Sequence, residues 1–188
     1  DLLLDRFGSV DENGRYHSSI ENPNRRFFSM LGALVRGRIC IGGGAAVATR
    51  RALSIATRYA DRRTQFRHPG TDDETPLLDY LAHQRKLLPA IARAYALGFA
   101  QNELIDTYAR VTSDASHAPQ AQRSLETLAA GLKAFNTEFA NASIQVCREA
   151  CGGAGYMSEN RLTQLRADTD VFATFEGDNT VLLQLVAK

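Results

Sequence analysis

The sequence lacks a dominant charge: 22 basic and 21 acidic side chains leave a net +1 over 188 residues. No overall field draws such a chain to nucleic acid or anionic lipid, so a polyanion-binding role is disfavoured. No apolar run approaches the roughly 20 residues a transmembrane helix needs. The N-terminus also lacks the basic, apolar, small-residue order of a secretory signal. A soluble, intracellular protein without nucleic-acid or membrane partners is expected. Cysteine is scarce and odd in number: Cys40, Cys147 and Cys151 fall in segments that read as apolar helix, which implies reduced, buried thiols. Cys147 and Cys151 lie one helical turn apart, but His17, His68, His83 and His117 are scattered, so no metal site is expected. Gly42-Gly43-Gly44 and Gly152-Gly153-Ala154-Gly155 follow no expected strand and precede no Lys-Ser/Thr pair, which disfavours a phosphate loop or Rossmann site. No Ser/His/Asp or Cys/His arrangement can be assembled, and repeats and low complexity are absent.

What is present is helical periodicity. With 44% hydrophobic residues the chain can bury one core. Residues 1–24 hold a short apolar run, Leu2 to Leu4, followed by the turn formers Gly8, Asp11, Asn13, Gly14, Pro23 and Asn24, so a strand remnant and loop are expected, with Asn24 as a helix N-cap. Phe27, Met30, Leu31 and Leu34, then Ile41, Ala45, Ala48, Ala52, Ile55 and Tyr59, predict one long helix over 25–63. The three glycines within it cost helix propensity, which points to close approach by another backbone or a ligand. Residues 68–76, with two prolines, a glycine and three acids, read as a surface loop. A second helix is predicted over 76–113, kinked at Pro89, then a break over 114–119 and a third helix over 120–150 ended by glycine. A short helix over 160–167, an extended stretch over 168–177 and a last helix over 180–188 capped by Asp178 or Asn179 follow. The fold class is all-α: an antiparallel, up-down four-helix bundle with a short extended N-terminal segment. The abrupt start on Asp1 and the apolar pattern still running at Lys188 suggest an excised piece. The arginines 58, 62, 63 and 67 with His68 sit at a helix end, where such cations are ordinarily just solvated and an anion site is the less favoured reading. Glu176 alone reads as a surface acid near a helix start.

Four blocks change that reading. Tyr59-Ala60-Asp61-Arg62-Arg63-Thr64-Gln65-Phe66, His83-Gln84, Glu149-Ala150-Cys151-Gly152-Gly153-Ala154-Gly155-Tyr156 and Thr174-Phe175-Glu176-Gly177-Asp178-Asn179-Thr180-Val181 occur in the order that resembles the acyl-CoA oxidase and dehydrogenase superfamily. Leu3-Leu4-Asp5-Arg6-Phe7-Gly8 is similar to that family's exit from its middle β-domain, and Glu21 to Phe28 with Cys151-Gly152-Gly153 resemble the oxidase branch. The resemblance implies that residues 1–24 are the remnant of a β-domain and linker, and residues 25–188 the C-terminal helical bundle domain.

It implies α,β-desaturation of a fatty acyl-CoA by an FAD-dependent enzyme that passes electrons to dioxygen. A dehydrogenase passing them to an electron-transfer flavoprotein is the alternative, and a non-catalytic helical assembly module is the rival from another class. Glu176 is implied as the catalytic base, with Arg38, Phe175 and Gly177 around the substrate. Arg63, Gln65, His83, Gln84, Glu149, Gly152, Gly153, Asp178 and Thr180 are implied as FAD contacts. Arg38 is equally readable as one half of a buried structural ion pair. Glu149 stands where dehydrogenases commonly carry glutamine, and Arg67 where glycine usually follows the phenylalanine. A homodimer or homotetramer is implied, in the cytoplasm of a bacterium or the peroxisome of a eukaryote.

Overall fold

The computed structural model describes residues 7–32, 34–113 and 119–187. Leu2 to Leu4, read as a strand, and most of the break over 114–119 lie outside them. The described residues are mostly helical, as the all-α class requires, and comprise α1 (Pro23–Leu31), α2 (Leu34–Arg62), α3 (Leu81–Ser113), α4 (Pro119–Ala150), α5 (Leu162–Asp170) and α6 (Asn179–Val186).

The helix expected over 25–63 is in fact two, α1 and α2, with Gly32 between them, where a residue of low helix propensity makes a break cheap. The cap also differs. Asn22, not Asn24, accepts through its side-chain oxygen from the backbone N–H groups of Asn24 (2.9 Å) and Arg25 (3.1 Å). Pro23, which has no N–H to satisfy, stands at the first helical position.

Three long helices make the body. Gly42 on α2 faces Gln101 of α3 and Lys133 and Asn136 of α4, while Gly98 on α3 faces Arg50. These pairings set α3 antiparallel to α2, and α4 runs alongside α2 in the same direction. The α2 seam is a stripe of small residues at helical spacing, Ala45, Ala48, Ala52, Ala56 and Ala60, which lets α4 come close with Ala140, Ile144 and Cys147. A Cβ at Gly42 would lie 3.2 Å from Gln101 Oε1 and 3.5 Å from the Lys133 Cα, so the close approach expected at the glycine run is that of neighbouring helices. Leu87, fully buried in the same core, would cost about 2–5 kcal/mol on truncation to alanine. A second cluster, Val35, Ile39, Leu104, Val111, Leu125 and Ala129, fills the other end. The short α6 runs antiparallel to α4: Asn179 reaches Ala134 and Thr137, and Val186 lies against Gly131. Pro89 lies within α3, which continues on both sides of it.

Two short hairpins flank the helices. β1 (Ser9–Val10) pairs with β2 (Tyr16–His17), and β3 (Thr64–Arg67) pairs with β4 (Glu74–Pro76). The stretch 68–76, expected to be loop throughout, therefore contains a return strand, secured by Thr64 Oγ1 donating to Glu74 (2.8 Å) and the His68 N–H donating to Asp73 O (2.8 Å). The stretch 168–177, expected to be extended, is helical through Asp170 and a 3₁₀ turn over 171–173. The β-branched Thr169 is accommodated because its buried hydroxyl donates to Leu165 O (2.9 Å).

All three cysteines are free, and Cys147 and Cys151 are buried as expected, but Cys40 is exposed. Cys40 falls on the outer side of α2, one residue past the buried Ile39. Burial, with Cys151 adding to it, pushes the Cys147 thiol from the usual 9.0 up to about 12. In the folded chain a thiol reagent should therefore label Cys40 first, and Cys147 and Cys151 only on unfolding; rapid labelling of all three under native conditions would contradict this packing. The raised thiol favours the native state below pH 9, and that contribution is lost as pH climbs toward 12.

Candidate functional site

The residues singled out in the sequence gather at two ends of the bundle. At the far end of α2, a cavity of about 340 Å³ is lined by Tyr59, Arg63, Gln65, His83, Lys86, Glu149, Gly152 and Gly153, among others. Three elements meet there: the end of α2 running into β3, the first turn of α3, and the glycine turn after α4. The Leu77 N–H donates to Arg63 O (2.8 Å) and the Tyr80 hydroxyl to Gln65 O (2.7 Å), which fixes the Arg63 to Gln65 backbone against the start of α3. Gln84 does not line the cavity; its amide donates to Leu78 O (2.9 Å) and braces the same corner.

The chemistry of this cleft suits a phosphate-bearing ligand with hydroxyls. Arg63 and Lys86 supply cations. A Cβ at Gly152 or Gly153 would meet nothing within 4 Å, so the glycine turn leaves room for a ligand to approach the backbone. His83 is held below its ordinary value, by burial first and by the Lys86 charge second. Its Nε2 is buried without a hydrogen-bond partner among the described residues, an arrangement that a ligand group would complete. Glu149, which accepts from Gln145 and lies 3.9 Å from Arg148, would repel a phosphate but suits a sugar hydroxyl. Next to this cleft, Arg58 and Arg62 line a second cavity together with Arg63 and Tyr59, whereas Arg67 pairs with Asp72 (3.1 Å) at the surface.

The other end carries Glu176. It lies between the 3₁₀ turn over 171–173 and α6, with φ +59°, and Gly177 follows at φ +110°. A left-handed glutamate costs roughly 1–2 kcal/mol and turns the side chain back toward α2. There its carboxylate lies so close to Gly37 that an added Cβ would overlap it, and Oε2 is buried without a hydrogen-bond partner among the described residues. Arg38 Nε donates to Glu176 O (3.3 Å), the backbone oxygen, so Arg38 holds the loop through its backbone. Phe175 is half exposed. Asp178 caps α6 by accepting from the Thr180 N–H (2.9 Å), and the Thr180 side chain is exposed.

Two residues of this end escaped the sequence reading. Lys133 is fully buried, and its ammonium donates to Gly177 O (2.6 Å), Asn179 Oδ1 (2.9 Å) and Ala173 O (3.2 Å). Gly37 makes the space that the Glu176 carboxylate occupies. Between Gly37 and Arg63 lie 26 residue steps of α2 and its exit, about 39 Å at helical rise. The two ends are therefore separate places on the molecule.

Fold and site define a helical domain with an open basic cleft at one end and an acid set against a helix at the other. A family model described as "Acyl-CoA oxidase, C-alpha1 domain" matches residues 31–188, and the chain belongs to that family. It is 43% identical to "Acyl-coenzyme A oxidase 2, peroxisomal" of Arabidopsis thaliana over 187 residues, all of this chain and 27% of that protein. Among solved structures it matches Arabidopsis thaliana acyl-CoA oxidase 1 at a TM-score of 0.85 and 34% identity, covering 97% of this chain and 27% of that one. It also matches acyl-CoA oxidase-1 of Caenorhabditis elegans, complexed with FAD and ATP, at a TM-score of 0.82 and 32% identity, covering 97% and 26%. The chain spans about a quarter of the length of these relatives.

Proposed function

We propose that this chain is the C-terminal helical part of an acyl-CoA oxidase, in which Glu176 removes the α-proton of a fatty acyl-CoA. The observation that carries the proposal is the Glu176 carboxylate itself: buried at Oε2, without a hydrogen-bond partner among the described residues, and set by a left-handed backbone on a loop anchored to both α2 and α4. A carboxylate oxygen with no hydrogen bond to occupy it is free to meet a substrate C–H. The thioester's Cα–H bond breaks toward Glu176 as the Cβ–H leaves as hydride, so a trans-2 double bond forms. FAD, when bound, would supply the hydride acceptor and the means of passing two electrons to dioxygen to give hydrogen peroxide. Backbone N–H groups of the 176–178 loop are available to steady the enolate-like oxygen, and Phe175 offers an apolar wall.

The basic cleft suits the pyrophosphate region of FAD: Arg63 and Gln65 toward the pyrophosphate, His83 and the Gly152-Gly153 backbone beside it, and Glu149 toward a hydroxyl. The C. elegans oxidase complexed with FAD supports FAD as the cofactor here. Because the cleft stands about 39 Å from Glu176 along α2, the FAD it holds serves a second subunit's Glu176, which favours a homodimer or homotetramer. Asp178 and Thr180, at the Glu176 end, would then touch the subunit's own flavin. Residues 7–24, including the β1–β2 hairpin, are proposed as the tail of a preceding β-domain and linker. α6 is proposed as the fourth member of the up-down bundle, since it runs antiparallel to α4. The peroxisomal relatives support the peroxisome over a bacterial cytoplasm.

The full-length protein should release one hydrogen peroxide per enoyl-CoA formed. Reduction of an electron-transfer flavoprotein without peroxide would instead identify a dehydrogenase, and a full-length protein that purifies without flavin would favour an assembly module. Arg63→Ala should weaken FAD binding by about 10- to 100-fold, as expected for a lost charge-assisted hydrogen bond. Activity per bound flavin should fall less; flavin titration of the apoprotein measures the first effect and turnover per flavin the second.

A further inference from the structure

The Glu176 loop has an unusual anchor. Lys133 projects from the middle of α4 and is 0% exposed, a position where a lone ammonium is costly to place. Its three hydrogens are matched by three acceptors: Ala173 O on one side of Glu176, Gly177 O on the other, and Asn179 Oδ1 at the start of α6. No other side chain offers three donors from one point. Asn179 is itself tied to α4, donating to Thr137 Oγ1 (3.0 Å) and Ala134 O (3.3 Å). The ammonium therefore fastens both shoulders of the turn that carries a left-handed glutamate.

We infer that Lys133 is a positioning residue for Glu176: by clamping the carbonyls of Ala173 and Gly177 to α4 it holds the turn in the conformation that sets the Glu176 carboxylate against Gly37. The inference rests on the reading of Glu176 as the base. Burial holds the lysine below its ordinary value, partly offset by Asp178 and Glu176, and Arg38 adds to the lowering. The acidic neighbours thus favour the charged, three-donor form that the clamp needs.

The test uses the full-length enzyme and anaerobic flavin reduction by saturating acyl-CoA, measured per bound flavin. Lys133→Met keeps the length of the side chain and removes its donors. The reduction rate should fall roughly 10- to 100-fold, the loss expected when a reacting group is misplaced by about an ångström. Acyl-CoA affinity and flavin content should hold. In a Glu176→Gln background the same change should lower the residual rate less than twofold, because both changes act on one group. A purely structural role would instead lower flavin content or substrate affinity and act equally in both backgrounds, and either result overturns the inference. If Lys133→Met does not fold, Asn179→Ala removes one acceptor of the clamp and its tie to α4. A several-fold slower reduction supports the clamp, and an unchanged rate sinks it. Should Glu176→Gln alone reduce flavin at the wild-type rate, the reading of Glu176 fails first and takes the inference with it.

Discussion

Replacing Glu176 by glutamine in the full-length protein should lower flavin reduction by acyl-CoA by about 10²–10⁴-fold or more, while folding, flavin content and acyl-CoA affinity stay near wild type. Glutamine keeps the size and hydrogen-bonding reach of the side chain but cannot take the α-proton, so the loss falls on the chemical step and not on ground-state binding. The structure strengthens the expectation of an intact fold. The carboxylate makes no hydrogen bond through Oε2 among the described residues, whereas the loop is held by Arg38 and Lys133 through backbone oxygens that the substitution leaves in place. Stopped-flow bleaching of the flavin reads the step directly. Bleaching within about tenfold of wild type, a smaller loss than removal of a general base should give, would mean that another acid does the work.

The two ends of the molecule were unequally legible. The α2 to α4 body could be read because its alanines and larger apolar residues recur every three or four positions, and nothing in the structure competes with that pattern. The β3–β4 hairpin could not, because β4 is three residues long and its pairing depends on Thr64 finding Glu74 across a turn rich in proline and acid. The helical course of 168–170 was hidden by its threonine and aspartates, whose preference for extended or turn structure was overridden once Thr169 could satisfy its hydroxyl on Leu165. At the site, the blocks around Arg63 and Glu176 were visible as residues, but their separation was not; it follows only from the unbroken run of α2. Lys133 was invisible for a different reason. A lysine beside Leu132 on a helix is ordinarily solvated, and the carbonyls that receive this one lie 40 and 44 positions away. The left-handed turn at Glu176 was marked by nothing except the glycine after it.

Gly37→Ala should remove most of the activity without weakening the fold. Among the described residues, what an added Cβ at Gly37 would meet is the Glu176 carboxylate, at its Cδ and both oxygens. The carboxylate is the far end of a flexible side chain, so it gives way before the α2 backbone does, and the methyl occupies the place the base held. Alanine is the better helix former by about 1 kcal/mol, so the melting temperature should hold or rise. Misplacing the proton acceptor by about an ångström should still slow flavin reduction on the order of 10²-fold. Gly44→Ala supplies the control on the same helix: its Cβ would make an ordinary 3.7 Å contact with Phe172, so it should show the stability gain without the loss of rate. Thermal unfolding and anaerobic flavin reduction, measured on both variants, separate the two effects. A Gly37→Ala enzyme that reduces its flavin as fast as wild type would show that proton removal does not depend on the Glu176 carboxylate lying against α2.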